Sequence, residues 1–130
     1  MATWDDVRRI FSELPEVEEA KERRWTIRKK GIAWERPLRK SDLDALGDAA
    51  PPDPILGVMV PDEFVKEALI SADSDVYFTT PHFDGYPAVL IQLRRVGRRA
   101  LREALIDGWL ACAPVKLAEE AIASGALKRR

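Results

Sequence analysis

Two almost unbroken apolar runs, Ile55-Leu56-Gly57-Val58-Met59-Val60 and Ala88-Val89-Leu90-Ile91-Gln92-Leu93, constrain this chain more than any other feature. Each has the length of a strand, and a strand so uniformly apolar is stable only when both of its faces are covered. Pro61 ends the first run and Asp84-Gly85 marks a turn before the second. Both are expected as central, well-covered strands, and the remaining elements must cover them.

Helical periods supply that cover. Thr3 followed by Asp5 and Asp6 reads as a capped helix start, and Val7, Ile10, Phe11 and Leu14 recur at helical spacing until Pro15. Asp62 caps a second helix with Phe64, Val65, Ala68 and Leu69 on its apolar side. After Gly97 a long helix places Leu101, Ala104, Leu105, Gly108, Trp109 and Cys112 on one side. Pro114 interrupts it, and Leu117, Ala118, Ala121 and Ile122 form a shorter terminal helix.

Between the first two helices the period changes to two. Trp25 and Ile27 alternate with Arg24, Thr26 and Arg28, and Ile32 and Trp34 resume the inward positions beyond Lys29-Lys30-Gly31. This predicts a hairpin with its tip at Lys29-Lys30-Gly31, Gly31 taking a positive φ, and two tryptophans on the apolar face. A short strand over Glu16–Lys21 has a weaker pattern, Ser41–Leu46 can form a helical turn, and residues 47–54 (GDAAPPDP) form a loop. Val76–Thr79 is a further short strand. The order α-β-β-(β)-α-β-β-α-α implies an α+β two-layer domain with a mainly antiparallel sheet and helices on one face, not a βαβ nucleotide-binding fold.

A length of 130 residues suits one domain, expected over 1–125 with a basic tail at 126–130 that frays from Leu127. One cysteine excludes an internal disulfide, and one histidine leaves few ligands for zinc. There is no apolar run of membrane-spanning length, and the start MATWDDVRRIF does not read as a signal peptide. A cytoplasmic location, no cofactor and no metal site are expected.

The near-neutral total hides blocks of charge. Residues 1–20 carry −4, residues 21–40 carry +7, residues 41–78 carry −8 with Lys66 as their only base, and residues 79–130 carry +4. Such blocks either cancel as solvated faces or set up a field over one surface. The basic block coincides with the predicted hairpin.

Residues 78–87, Phe-Thr-Thr-Pro-His-Phe-Asp-Gly-Tyr-Pro, form the least accidental loop. Asp84-Gly85 suits a turn, Thr79, Thr80 and Asp84 can bond stray backbone groups, and Phe83 and Tyr86 can plug the sheet end. The functional alternative makes His82 an acid, base or ligand oriented by Asp84. No nucleophile or second histidine accompanies it, so the structural reading is preferred.

This segment, within 76–93, resembles the signature of the MmcQ/YjbR-like proteins through Thr79, Thr80, Pro81, His82, Asp84, Gly85, Tyr86 and Pro87. Leu-Pro-Glu-Val-Glu-Glu at 14–19, Val-Pro-Asp-Glu at 60–63 and Trp109 with Ala113, Pro114 and Lys116 extend the match over about residues 3–123. Phe83, where relatives carry Tyr, and the GDAAPPDP loop depart from it. The resemblance implies the order α-β(3)-α-β(2)-α, shared with secretion chaperones. It also implies DNA binding through a concave sheet face, by likeness to a phage "double wing" domain. Fold alone does not fix that function.

DNA binding needs bases on one surface. Arg24, Arg28, Lys29 and Lys30 of the hairpin, with Arg36, Arg94, Arg95 and Arg98, are the candidate phosphate contacts. The bases from Arg94 to Arg99 crowd a helix N-terminus, where a bound anion would relieve an unfavourable dipole. Pairing with the acids of 41–78 is the competing reading, and a pI of about 5.9 argues against strong nonspecific binding. The alternative function is a protein-interaction module, monomeric or weakly dimeric, that docks a partner at a sheet edge or on an exposed tryptophan such as Trp4. No catalytic motif is present and Cys112 falls on an apolar face, so an enzyme is not expected.

Overall fold

The Thr3 hydroxyl accepts the Asp6 backbone N–H at 3.3 Å while the Asp6 carboxylate accepts the Thr3 backbone N–H at 2.9 Å. This reciprocal cap starts α1 (Trp4–Ser12) where the sequence predicts it. In the computed structural model, which describes residues 1–127, three strands follow: β1 (Val17–Lys21), β2 (Arg24–Ile27) and β3 (Lys30–Glu35). A short α2 (Lys40–Leu46) leads to β4 (Ile55–Met59), α3 (Glu63–Ala72), β5 (Tyr77–Phe78) and β6 (Ala88–Gln92), and the chain closes with α4 (Arg98–Cys112) and α5 (Val115–Ser124). The sheet order is β1-β2-β3-β4-β6-β5, with every neighbouring pair antiparallel.

The fold is α+β, with the two apolar runs side by side at the sheet centre as β4 and β6. It has one strand and two helices more than α-β(3)-α-β(2)-α, because Ile55–Met59 is flanked by separate helices and α5 follows α4. No helix among the described residues is long and apolar enough to cross a membrane. Of the expected basic tail, residues 128–130 lie outside the described part. Leu127, expected to fray, packs against the core.

One face of the sheet carries the main core. Ile10 and Phe11 of α1 and Leu101, Leu105 and Trp109 of α4 pack on Trp25, Ile27, Ile32, Leu56, Val58, Val89 and Ile91. Phe11 lies 5.5 Å and Trp4 6.2 Å from the Trp25 ring, centroid to centroid. Such ring pairs contribute beyond the area they bury. The Trp109 indole N–H donates to the Pro15 carbonyl at 2.9 Å, so one of the two core tryptophans also satisfies the bend after α1. Gly108 lets α4 settle on β4: a Cβ there would stand 2.8 Å from Val58 Cγ2 and 3.0 Å from the Met59 carbonyl oxygen. Cys112 is buried as expected, and that burial pushes its thiol pKa up.

Three expectations are corrected. The hairpin turn is Arg28-Lys29, both residues having positive φ (46° and 71°), with Ile27 paired to Lys30. This is the two-residue type I′ geometry, and Gly31 lies within β3. Second, a bulge sets Trp25 opposite Ala33 and Thr26 opposite Gly31, leaving Ile32 as the extra residue. Ile32 and Ala33 both join the main core and Trp34 is thrown to the opposite face. Third, α3 turns Phe64 and Ala68 to solvent and packs Val65, Leu69 and Ile70, while Lys66 is only 3% exposed. In α5, likewise, Ala121 is buried and Ile122 is exposed. Local spacing could not register these rotations because the partners lie elsewhere in the chain.

Replacing Gly108 by Val should therefore separate α4 from β4 and lower the stability by about 3 kcal/mol, read from the urea midpoint. An unchanged midpoint would show that the close approach is dispensable.

Candidate functional site

The second face of the sheet is only half covered. A small cluster of Ile55, Phe83, Ala88 and Leu90, joined by Trp34, Leu38 and Phe78, lies under the 78–87 loop and the segment entering α2. Lys66 holds that loop. Its ammonium donates to the Phe83 carbonyl at 2.7 Å and the Tyr86 carbonyl at 3.0 Å, with the Glu63 carboxylate at 3.7 Å. A buried lysine without such partners would be strongly unfavourable, so these carbonyls explain why Lys66 replaces Phe64 inside.

Arg36 and Asp42 hold the facing wall. Arg36 bonds the Pro37 carbonyl, pairs with Asp42 at 2.9 Å and stands 5.2 Å over the Phe83 ring. Burial tends to raise the Asp42 pKa, but the Arg39 backbone N–H and the Arg36 guanidinium outweigh it and hold the carboxyl below its usual range. The Thr80 hydroxyl also favours the Asp42 charge, though it falls short of regular hydrogen-bond geometry.

Between these walls runs a trough of about 560 Å³, lined by Arg24, Trp34, Arg39, His82 and Tyr86 among others. It shares Arg24, Trp34 and Tyr86 with an adjoining hollow of about 230 Å³ that reaches Lys30. The pairing explains its floor. Arg24 lies opposite Trp34, Trp34 opposite Gly57, Gly57 opposite Leu90 and Leu90 opposite Phe78, a single row across five strands. Gly57 makes room for the indole, since a Cβ there would meet Trp34 Cε2 at 2.7 Å.

The eight predicted phosphate contacts do not form one surface. Arg24 lines the trough, Lys30 lines the adjoining hollow and Lys29 stands at the hairpin tip, all three without an acidic partner among the described residues. Arg28 shares that tip but is held by Glu16, with contacts of 2.8 and 3.1 Å. Arg36 is buried in the wall and could meet a phosphate only by leaving Asp42. Arg94, Arg95 and Arg98 belong to the far end of the strands, because β6 runs away from the hairpin tip. Arg98 lies 3.5 Å from Asp6, so a carboxylate of the chain itself relieves the crowded helix start.

Within the motif loop, Pro81, His82 and Phe83 form a 3-10 turn and Gly85 has a φ of 73°. Thr79 bonds the Thr80 carbonyl, and Pro87 accepts the Val60 backbone N–H at 2.8 Å. His82 touches the Phe83 ring edge at 4.9 Å but shares no hydrogen bond with Asp84. The described residues hold no cluster of three potential metal ligands. Arg39, Lys66 and the outward Trp34 belong to the site without having been marked by any local period or motif. A lone base in an acidic stretch and a glycine in the middle of a central strand were the available signals.

Lys66→Met should cost about 1–3 kcal/mol by leaving two carbonyls without a donor, and it should speed amide exchange across 81–87. Unchanged exchange there would refute the pinning role. The Asp42 contribution, with a folded pKa below the unfolded one, is complete above about pH 4 and is lost as pH falls through the folded value. Acid titration of stability should accordingly be shallower for Asp42→Asn than for wild type.

No family model matches the chain, and no solved structure does. It is 50% identical over 127 residues to uncharacterized protein Rv2570 of Mycobacterium tuberculosis and to uncharacterized protein Mb2600 of Mycobacterium bovis, covering 95% of this chain and 98% of each relative. The chain belongs to the family of these uncharacterized mycobacterial proteins.

Proposed function

We propose that the chain is a DNA-binding protein of the MmcQ/YjbR-like kind, which holds the phosphate backbone on the basic side of its open sheet face. The observation that carries this reading is the set Arg24, Lys29 and Lys30, exposed at the trough, the hairpin tip and the adjoining hollow and free of acidic partners among the described residues. The other hairpin cations, Arg23 and Arg28, are tied to Glu35 and Glu16. The contact is therefore small and electrostatic, in keeping with a pI of about 5.9.

A protein-interaction role draws on Phe64, which is 80% exposed on α3. Strand addition finds little support: β1 is an edge strand carrying Glu18, Glu19 and Lys21, and β5 is two residues long.

Fluorescence anisotropy of labelled duplex DNA tests the proposal. Three phosphate contacts predict that affinity falls about 40-fold between about 50 and about 200 mM salt. A folded Arg24→Ala/Lys29→Ala/Lys30→Ala variant should lose most of both the binding and its salt dependence, while Arg28→Ala should change little. Absence of binding at the lower salt would overturn the reading and direct attention to a partner at Phe64.

A further inference from the structure

The trough holds more than positive charge. Its floor is an indole that the structure keeps out of the main core and seats over Gly57. Trp34 is half-buried, and its indole N–H makes no hydrogen bond among the described residues. Tyr86 and His82 stand exposed on the facing loop, which Lys66 fixes from below. The Arg24 guanidinium lies across Gly31, where a Cβ would meet its nitrogen at 3.2 Å, and Lys30 is next to it. The acid on the rim, Glu35, is engaged by Arg23 at 3.0 Å.

An aromatic floor flanked by free cations suits a planar ring joined to an anion. A phosphate alone would not need Trp34, and an apolar peptide would gain nothing from Arg24 and Lys30. In a duplex both faces of a base are already stacked, so none is available to an indole. A trough of about 560 Å³ is in the range of small-ligand sites.

We infer that the trough takes one unpaired nucleobase stacked on Trp34, its flanking phosphate held by Arg24 and Lys30, and that the preferred ligand is single-stranded DNA. This inference rests on the phosphate reading above and narrows it to a substrate class. Trp34 supplies the stacking surface and the cations hold the strand across it.

Three probes of equal length, about twelve nucleotides, separate the possibilities: oligothymidylate, an abasic strand with the same phosphates, and a duplex. Wild type should bind oligothymidylate about tenfold more tightly than either the abasic strand or the duplex, with quenching of tryptophan fluorescence, and a duplex bound as tightly as oligothymidylate would overturn the single-strand preference. Trp34→Leu should abolish that preference, and Trp34→Phe, which keeps a ring and guards against misfolding, should retain most of it. Arg24→Ala/Lys30→Ala should weaken all three probes. Equal binding of oligothymidylate and the abasic strand, or a preference unchanged in Trp34→Leu, would overturn the stacked base while leaving phosphate binding intact. Thymidine monophosphate binding as tightly as the oligomer would overturn the assignment to a strand in favour of a free nucleotide. If no probe binds, the phosphate reading fails and this inference with it.

Discussion

The seat of α4 on β4 at Gly108 is the contact on which the rest of the molecule depends. Because that residue has no side chain, the helix axis comes close enough for Leu101, Leu105 and Trp109 to fill the space above the central strands. The long α4, with α1, α3 and α5, thereby completes one face of the sheet, and among the described residues no second long helix covers the other. That other face is left to a short helix and a ten-residue loop, which cover its middle and leave a trough. Two glycines open the two sides of β4: Gly108 of α4 admits the helix against Val58 and Met59, and Gly57 of the strand itself admits the Trp34 indole.

The trough's walls are held by charges buried where apolar groups would ordinarily sit. Removing Lys66, Arg36 or Asp42 from water opposes folding by several kcal/mol per ion, and each is offset only because its hydrogen-bonding capacity is met by groups at fixed positions. For Lys66 these are two loop carbonyls; for Asp42 they are a backbone N–H and a guanidinium. Burial and pairing nearly cancel in stability, but the pairing is directional. It specifies where the 78–87 loop and the entry to α2 stand, which an apolar contact of the same area would leave free to slide. The motif loop is thus a wall whose position is fixed from beneath, with His82 and Tyr86 outward and no hydrogen bond joining His82 to Asp84.

Much of the architecture was legible from local chemistry. The Thr3 cap, the apolar side of α4 and the two central runs follow from period and capping alone, and the weakly patterned Glu16–Lys21 segment formed a strand because β2 lay beside it. The basic block at 21–40 was visible as charge, yet its availability was not. Arg28 and Glu16 are twelve residues apart and Arg98 and Asp6 far more, and only the folded chain brings them within reach of each other. A composition of nearly equal acids and bases therefore left the number of free cations undecided.

Element types, the central strands and the identity of the residues able to form a core follow from local order, because these depend on periodicities within a few turns or pleats. Tertiary structure alone decided which tryptophan faces outward, which lysine is buried and which arginines remain unpaired. A single bulged residue at Ile32 reverses the side on which Trp34 emerges, and no local pattern signals it, since strand alternation is the same whichever face meets the core. Ion pairs obey the same limit: they are set by distance in space, and topology, not spacing along the chain, determines that distance.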